Sequence, residues 1–448
     1  MFLKILDSQT ARQTLLRRRP PDETDLPPAV QQRIISLFGE PLTAEQAVAR
    51  ILQDVRRRGD EALREWTAKL DGADLSDGLQ VAPEECWRAL HSLPADLRAA
   101  LETAARRIRE FHRHQPALSW IEQNEEGTLG QLIRPIERVG VYVPGGSAPL
   151  PSSVLMSVIP ARVAGVKQVI VCTPPGRDGQ INSVILAACA LAEVDALFRV
   201  GGAQAIAAMA FGTPALPAVD KIVGAGGLFA TLAKRQVFGV VGIEGLAGPT
   251  ETVIIADESA NPRRVAADLL AQAEHDPLAT ALLLTPSRRL AEAVSAEVEA
   301  LLAQDAAGPL NRAEIIRASL AGRGGAVITR DVDEAVELCN AFAPEHLNLV
   351  VQNGWDWLPK IRNAGGVFLD EDSCEVMGDY IAGPSHVMPT GGSARFASPL
   401  NVWDFVRIIS LVGLNRTAVQ RLSPLAERLA QAEGLGAHAL AAALRRAP

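Results

Sequence analysis

Two polar side chains, the amide of Gln272 and the imidazole of His275, stand three residues apart in Asp268-Leu-Leu-Ala-Gln-Ala-Glu-His-Asp-Pro277, an otherwise apolar stretch with helical spacing. At that separation they share one helix face. An amide oxygen and an imidazole nitrogen aimed the same way form one side of a mixed oxygen and nitrogen metal site. The alternative for the same two residues is a hydrogen-bonded pair inside a core.

Seven histidines are present, and the four in the C-terminal half, His275, His346, His386 and His438, fall in distinctive contexts. In Ala343-Pro-Glu-His-Leu347 the proline forbids a regular helix through the site and leaves Glu345 and His346 just ahead of an apolar strand. Loops at strand ends are where α/β proteins carry catalytic groups. Adjacent side chains diverge, so this pair can serve one reaction from two angles, with the imidazole as general base and the carboxylate activating water. Read blandly, it is a helix cap or a surface dyad. Gathered together, Gln272, His275, Asp379 and His438 would offer Zn2+ an amide oxygen, two imidazoles and a carboxylate with no thiolate, leaving room for a substrate. No local spacing rule groups these four. Otherwise Asp379 caps a turn and His438 decorates a surface helix. Glycine clusters at 145–146, 201–202 and 224–227 each follow an expected strand, where backbone can approach a phosphate closely. None spells the ordinary dinucleotide fingerprint, and tight turns explain them equally well.

These groups need a scaffold, and the apolar pattern supplies one. Short apolar runs at 139–143, 169–172, 197–200, 221–223, 252–256, 282–284, 327–328, 347–351 and 367–369 alternate with Ala-rich helical segments. Such alternation predicts an α/β fold of mainly parallel sheets covered on both faces, arranged as two similar units. Two runs even end alike, in Thr173-Pro174 and Thr285-Pro286. Thr43 and Gln46 form a capping box ahead of a helix bearing Val48, Ile51, Leu52 and Val55, and a second helix spans about 95–111. His112 and His114 at its basic end are expected in solvent. Residues 1–40, with Pro20-Pro21 and Pro27-Pro28, read as an extended arm, and residues 401–448 as a helical tail that docks on something else. We expect residues 41–140 and 250–400 to form the unit with the metal and catalytic residues, and 141–249 a second unit.

Composition narrows the partners. With 448 residues and a formal net charge of -8, the chain can bury large cores and repels nucleic acid and anionic membranes. Five scattered cysteines without a Cys-x-x-Cys pair argue against a disulfide framework and suit the cytoplasm. No uncharged apolar run reaches membrane-spanning length, and Arg17-Arg18-Arg19 is not followed by the apolar core of a targeting peptide.

Taken in order, Tyr142-Val-Pro-Gly-Gly-Ser-Ala-Pro-Leu150, Gly201-Gly-Ala-Gln-Ala-Ile206, Ala247-Gly-Pro-Thr-Glu251, Gln272-Ala-Glu-His275, Ala343-Pro-Glu-His-Leu347, Gly378-Asp-Tyr380, His386-Val-Met-Pro-Thr-Gly-Gly392 and the stretch from Glu433 to His438 closely resemble the histidinol dehydrogenase family over nearly the full length. The resemblance implies an aldehyde-dehydrogenase-like pair of doubly wound Rossmann-like units. It implies Gln272, His275, Asp379 and His438 as ligands of one Zn2+ per subunit, Glu345 and His346 as the catalytic pair, and Tyr142, Gln204 and Gly227 as the NAD site. Substrate contacts fall to Thr250, Gln272, His275, His346, Asp379, Glu433 and His438. It further implies oxidation of L-histidinol to L-histidine through a bound aldehyde with two NAD, and a domain-swapped homodimer whose tail carries Glu433 and His438 into the partner.

Two positions depart from the family pattern. Gly224-Ala-Gly-Gly227 stands where Gly-Pro-Gly-Asn is usual, so a side-chain amide for the nucleotide is missing and backbone and water at Gly227 are left to replace it. Thr250 replaces the common Ser and keeps the hydroxyl. Two other functions fit parts of the pattern: a dehydrogenase of another amino alcohol or diol, and a zinc hydrolase using Glu345 to activate water. Cys374 admits a thiohemiacetal route but reads as a packing residue.

Overall fold

A computed structural model describes residues 3–18, 28–145, 149–304 and 312–446. Strands form where the apolar runs are: Glu251–Ala256 and Thr280–Thr285 are buried at every position, as strands covered on both faces must be. A first six-stranded sheet runs Ile5–Asp7, Gly324–Ile328, Thr280–Thr285, Glu251–Ala256, His346–Val350, Gly366–Leu369, with all neighbours parallel. A second runs Gln80–Val81, Ala196–Phe198, Gln168–Cys172, Arg138–Tyr142, Lys221–Val223, Gly242–Ile243, and only the first pairing is antiparallel. Both sheets wind outward from a central strand and then return on its other side. That leaves a topological switch point beside Glu251–Ala256 in one and beside Arg138–Tyr142 in the other. The two Thr-Pro strand ends occupy equivalent places, each on the strand next to the central one.

Three boundaries differ from the sequence expectation. Within the first 40 residues, Ile5–Asp7 is an edge strand of the first sheet, Ser8–Gln13 is a helix capped by Asp7, and Pro28–Phe38 is a second helix. Pro20, Pro21, Pro27 and Arg19 lie outside the described residues, as does Gly146. Helices of the 41–140 segment, expected with the metal-bearing unit, cover the second sheet instead. Val48, Ile51 and Val55 share a core with Ile206 and Met209, and Leu101 and Ile108 one with Val139 and Val141. An apolar helix face announces that it will be buried but not against which sheet. The Thr43 capping box is present, and Gly59 ends that helix.

The tail is not wholly helical. Val406–Leu414 pairs antiparallel with Gly127–Pro135, which pairs with Trp120–Asn124, before helices Arg416–Ala432 and Gly436–Leu444. A run of β-branched and apolar residues broken by Arg407 and Ser410 satisfies either period over so short a window. His112 is also not in solvent: it is fully buried and hydrogen-bonds the Gln115 amide oxygen through Nδ1 at 2.9 Å, and burial pushes its pKa down.

Candidate active site

The helix Val332–Phe342 stops at Ala343, whose φ of +53° lies in the left-handed region, and Pro344 prevents its resumption. The chain re-enters the first sheet at His346, in register with Thr252 on one side and Gly366 on the other. Glu345 and His346 are both buried. The Thr250 hydroxyl and the Glu251 backbone N–H (3.0 Å) donate to Glu345 Oε2. His346 Nδ1 lies 3.2 Å from the Glu251 carbonyl, which can only accept, so Nδ1 carries a proton and Nε2 is left to take one. Nε2 is buried without a hydrogen-bond partner, 3.5 Å from Asp379 Oδ1. Phe368 stacks on the imidazole at 5.8 Å.

The electrostatics follow from this enclosure. Burial pushes the His346 pKa down, but the carboxylates of Glu345, Asp379 and Glu375 outweigh it and hold the imidazole well above its ordinary value. Burial lifts Glu345 to about 7, with His346 opposing. Glu375, buried beneath and bonded to the Thr252 hydroxyl, is lifted by burial to about 8. Burial also raises Asp379, yet His346 reverses the sign and keeps it below the usual range, hence ionised.

Gln272 lies in the last turn of Pro262–Ala273, and His275 in the turn beyond, so the helix stops two residues short of carrying both on one face. Gln272 is buried with its amide nitrogen unpaired, which is not what a hydrogen-bonded core pair looks like. Burial lowers the His275 pKa, with the Asp379 carboxylate as the main opposing influence, so this imidazole is neutral. A neutral imidazole and an ionised carboxylate are the donor states that a zinc ion requires, and the Gln272 amide, its nitrogen unpaired, has an oxygen that could join them, so these three residues fit it. His438 and Glu433 do not join them within the chain: both are exposed on terminal helices that pack on each other. Among the described residues no three His, Cys, Asp or Glu side chains gather closely enough to hold a metal.

On the second sheet, Tyr142 ends the central strand and its hydroxyl accepts from the Gly202 N–H at 3.1 Å. Gly224 (φ +108°) and Gly226 press on Tyr142 so closely that a Cβ would fall 2.1 Å from its carbonyl oxygen and 2.8 Å from its ring. Gln204, in the helix starting at Gly202, is fully buried with both amide atoms unpaired. Gly227 caps the helix Leu228–Val237 with open space where its side chain would be. All three positions therefore surround the switch point at the carboxyl ends of the strands, the place where such sheets take nucleotides. The Thr231 hydroxyl donates to the Ala247 carbonyl at 2.9 Å, and the Gly248 N–H to Thr390 at 2.6 Å, tying this crevice to the segment that ends in Thr250 and Glu251. The first sheet behaves oppositely, since Glu251 and His346 open their strands rather than close them. Its carboxyl-end cavity of about 330 Å³ is lined by Asp257, Glu258, Ser287 and Gln352, and those carboxylates repel phosphate.

Sequence reasoning missed Glu375, Glu251 and Phe368 as parts of the site. Glu251 closes the Ala247-Gly-Pro-Thr-Glu251 motif, which by itself gives it no role, and nothing in the local pattern marks the other two. Cys374 caps the helix Glu375–Tyr380 and is partly buried, consistent with packing.

A switch-point crevice on one sheet and an imidazole enclosed among carboxylates at the edge of the other are the parts that a nucleotide-dependent dehydrogenase needs. A sequence model described as histidinol dehydrogenase matches residues 40–446. The histidinol dehydrogenase of Deinococcus radiodurans is 51% identical over 439 residues, covering 98% of this chain and 99% of its own. That of Thermus thermophilus is 52% identical over 405 residues, covering 90% and 95%. The crystal structure of histidinol dehydrogenase from Elizabethkingia anophelis superposes with a TM-score of 0.89 at 35% identity, over 99% of this chain and 98% of that one. The chain belongs to the histidinol dehydrogenase family, NAD-dependent oxidoreductases of histidine biosynthesis.

Proposed function

We propose that the chain oxidises L-histidinol to L-histidine through a bound aldehyde, using two NAD and one zinc ion per subunit. The observation that carries this reading is His346, its imidazole buried between Glu345 on the Nδ1 side and Asp379 on the Nε2 side, with Nδ1 fixed by the Glu251 carbonyl and Nε2 without a hydrogen-bond partner. In the first oxidation His346, whose raised pKa a divalent cation at Asp379 would offset so that Nε2 is unprotonated, takes the hydroxyl proton there as the carbinol hydride leaves toward the crevice at Tyr142, Gln204 and Gly227. In the second, Glu345 takes a proton from the water that adds to the aldehyde while His346 returns its proton to the carbonyl oxygen, giving the diol, and His346 then takes a diol proton as the second hydride leaves. Burial of the pair excludes competing water and keeps the aldehyde from escaping. Gln272, His275 and Asp379 would hold zinc, which supplies Lewis-acid anchoring of the substrate's imidazole and amino group.

His438 and Glu433 complete the ligand and substrate sets from a second copy of the chain. Their exposure, together with exposed Leu425, Leu429, Leu435, Leu440 and Leu444 on the same helices, supports a domain-swapped homodimer. None of the described helices is long and apolar enough to cross a membrane. We place the enzyme in the cytoplasm, which suits its five unpaired thiols. The test is stoichiometry: purified enzyme with zinc, NAD and L-histidinol should form about two NADH per histidine. No NADH from histidinol, with turnover of another amino alcohol or diol, would assign a different substrate. Product formed without NAD would point to the hydrolase chemistry.

A further inference from the structure

We infer that Arg18, ahead of the 40–446 span that matches the family, is a positioning residue that holds the catalytic loop against the first sheet. This rests on Glu345 and His346 carrying the proton steps. The Arg18 guanidinium forms a two-pronged ion pair with Glu251, NH1 to Oε1 and NH2 to Oε2 at 2.8 Å. The same guanidinium donates from Nε and NH2 to the Phe342 carbonyl at 2.9 and 2.6 Å, and reaches the Ala343 carbonyl at 3.3 Å. Its carbon stands 3.9 Å over the Phe342 ring. Those carbonyls end the helix from which the catalytic loop departs, where unpaired carbonyl oxygens and the negative end of the helix dipole favour a cation.

Glu251 is the common element. Its N–H holds Glu345, its carbonyl holds His346 Nδ1, and its own side chain, only 5% exposed, is held by Arg18. One guanidinium therefore joins both ends of the 343–346 loop's support, a geometry that a planar fork can span and a lysine cannot. The glycine that closes the His386–Gly392 segment is required by its backbone conformation and lies against the same guanidinium. A Cβ on Gly392, whose φ is +80°, would stand 2.7 Å from Arg18 Nε.

The test uses the full-length, zinc-loaded enzyme. Arg18→Ala should lower kcat about 100-fold, the cost of a displaced catalytic pair, while the KM for histidinol changes less than about threefold. Guanidinium ion in the buffer should restore about tenfold of that loss by re-pairing the stranded carboxylate, and Arg18→Lys should be slow and unrescued. Hydrogen exchange across 343–351 should speed by about tenfold in Arg18→Ala. The double variant Arg18→Met/Glu251→Gln, which buries no lone charge, should show the same kcat loss if the single variant does not fold. A kcat within about twofold of wild type, or a loss with neither guanidinium rescue nor faster exchange at 343–351, overturns the inference. If the wild type itself makes no NADH from histidinol, the functional reading fails, and the exchange measurement still decides the clamp.

Discussion

His346 Nε2 faces Asp379 Oδ1 across 3.5 Å with no hydrogen-bond partner, while Nδ1 is committed to the Glu251 carbonyl. On the proposed reading, proton transfer and metal binding thus meet at one boundary but fall on different residues. His346→Asn should lower kcat by about a thousandfold, the span of a lost general base, and leave zinc content unchanged. His275→Ala should do the reverse, emptying the site of zinc by atomic absorption before any effect on folding. Loss of metal in His346→Asn would mean that the imidazole is a ligand.

Glu345 is lifted by burial to about 7 and held by Thr250 and the Glu251 amide. Below that pH it is protonated and cannot accept a proton from water. The part of the aldehyde step that depends on Glu345 should therefore rise with pH through about 7, any further rise above it belonging to His346. Glu345→Gln should flatten that rise and slow aldehyde oxidation about 100-fold, with alcohol oxidation slowed by less than tenfold. Single-turnover measurements started from each substrate separate the two. An equal effect on both steps would remove Glu345 from water activation.

The strand runs and the histidine contexts were legible because they are local. A strand buried on both faces must be apolar throughout, and Pro344 has only one effect on the chain around it. Placement of the 41–140 helices was not legible, since Val48 and Leu101 mark a face without naming what covers it. Glu375 was invisible for a related reason: it acts through Thr252, whose register with His346 exists only once two parallel strands separated by most of a domain have paired. Arg18 appeared only as one of three consecutive arginines, and its role comes from where Ile5–Asp7 joins the sheet.

Asp71 ends its helix at the unfavourable pole of the dipole, with Oδ2 buried and unpaired, and burial lifts its carboxyl to about 6. A folded pKa above the unfolded value means that the native state binds the extra proton, so stability is lost as pH rises from about 4 to about 6. Asp71→Asn should raise Tm by about 2 °C at pH 8 and leave it unchanged at pH 4. Thermal scans at the two pH values check this, and an equal gain at both would assign the effect to packing rather than charge.

Gly227 offers the sharpest test of the nucleotide crevice because nothing stands within 4 Å of the Cβ it lacks and its φ of -66° admits any residue. Asn at this helix N-cap keeps the cap and adds an amide toward the switch point beside Tyr142. Gly227→Asn should lower the KM for NAD by about fivefold, the worth of one net hydrogen bond of about 1 kcal/mol, with kcat and the KM for histidinol unchanged. If the KM for NAD does not move, the nucleotide does not pass this helix end. The unpaired Gln204 amide would then be the contact to probe, because a fully buried amide with neither atom bonded is costly and a ligand that pairs it recovers that cost.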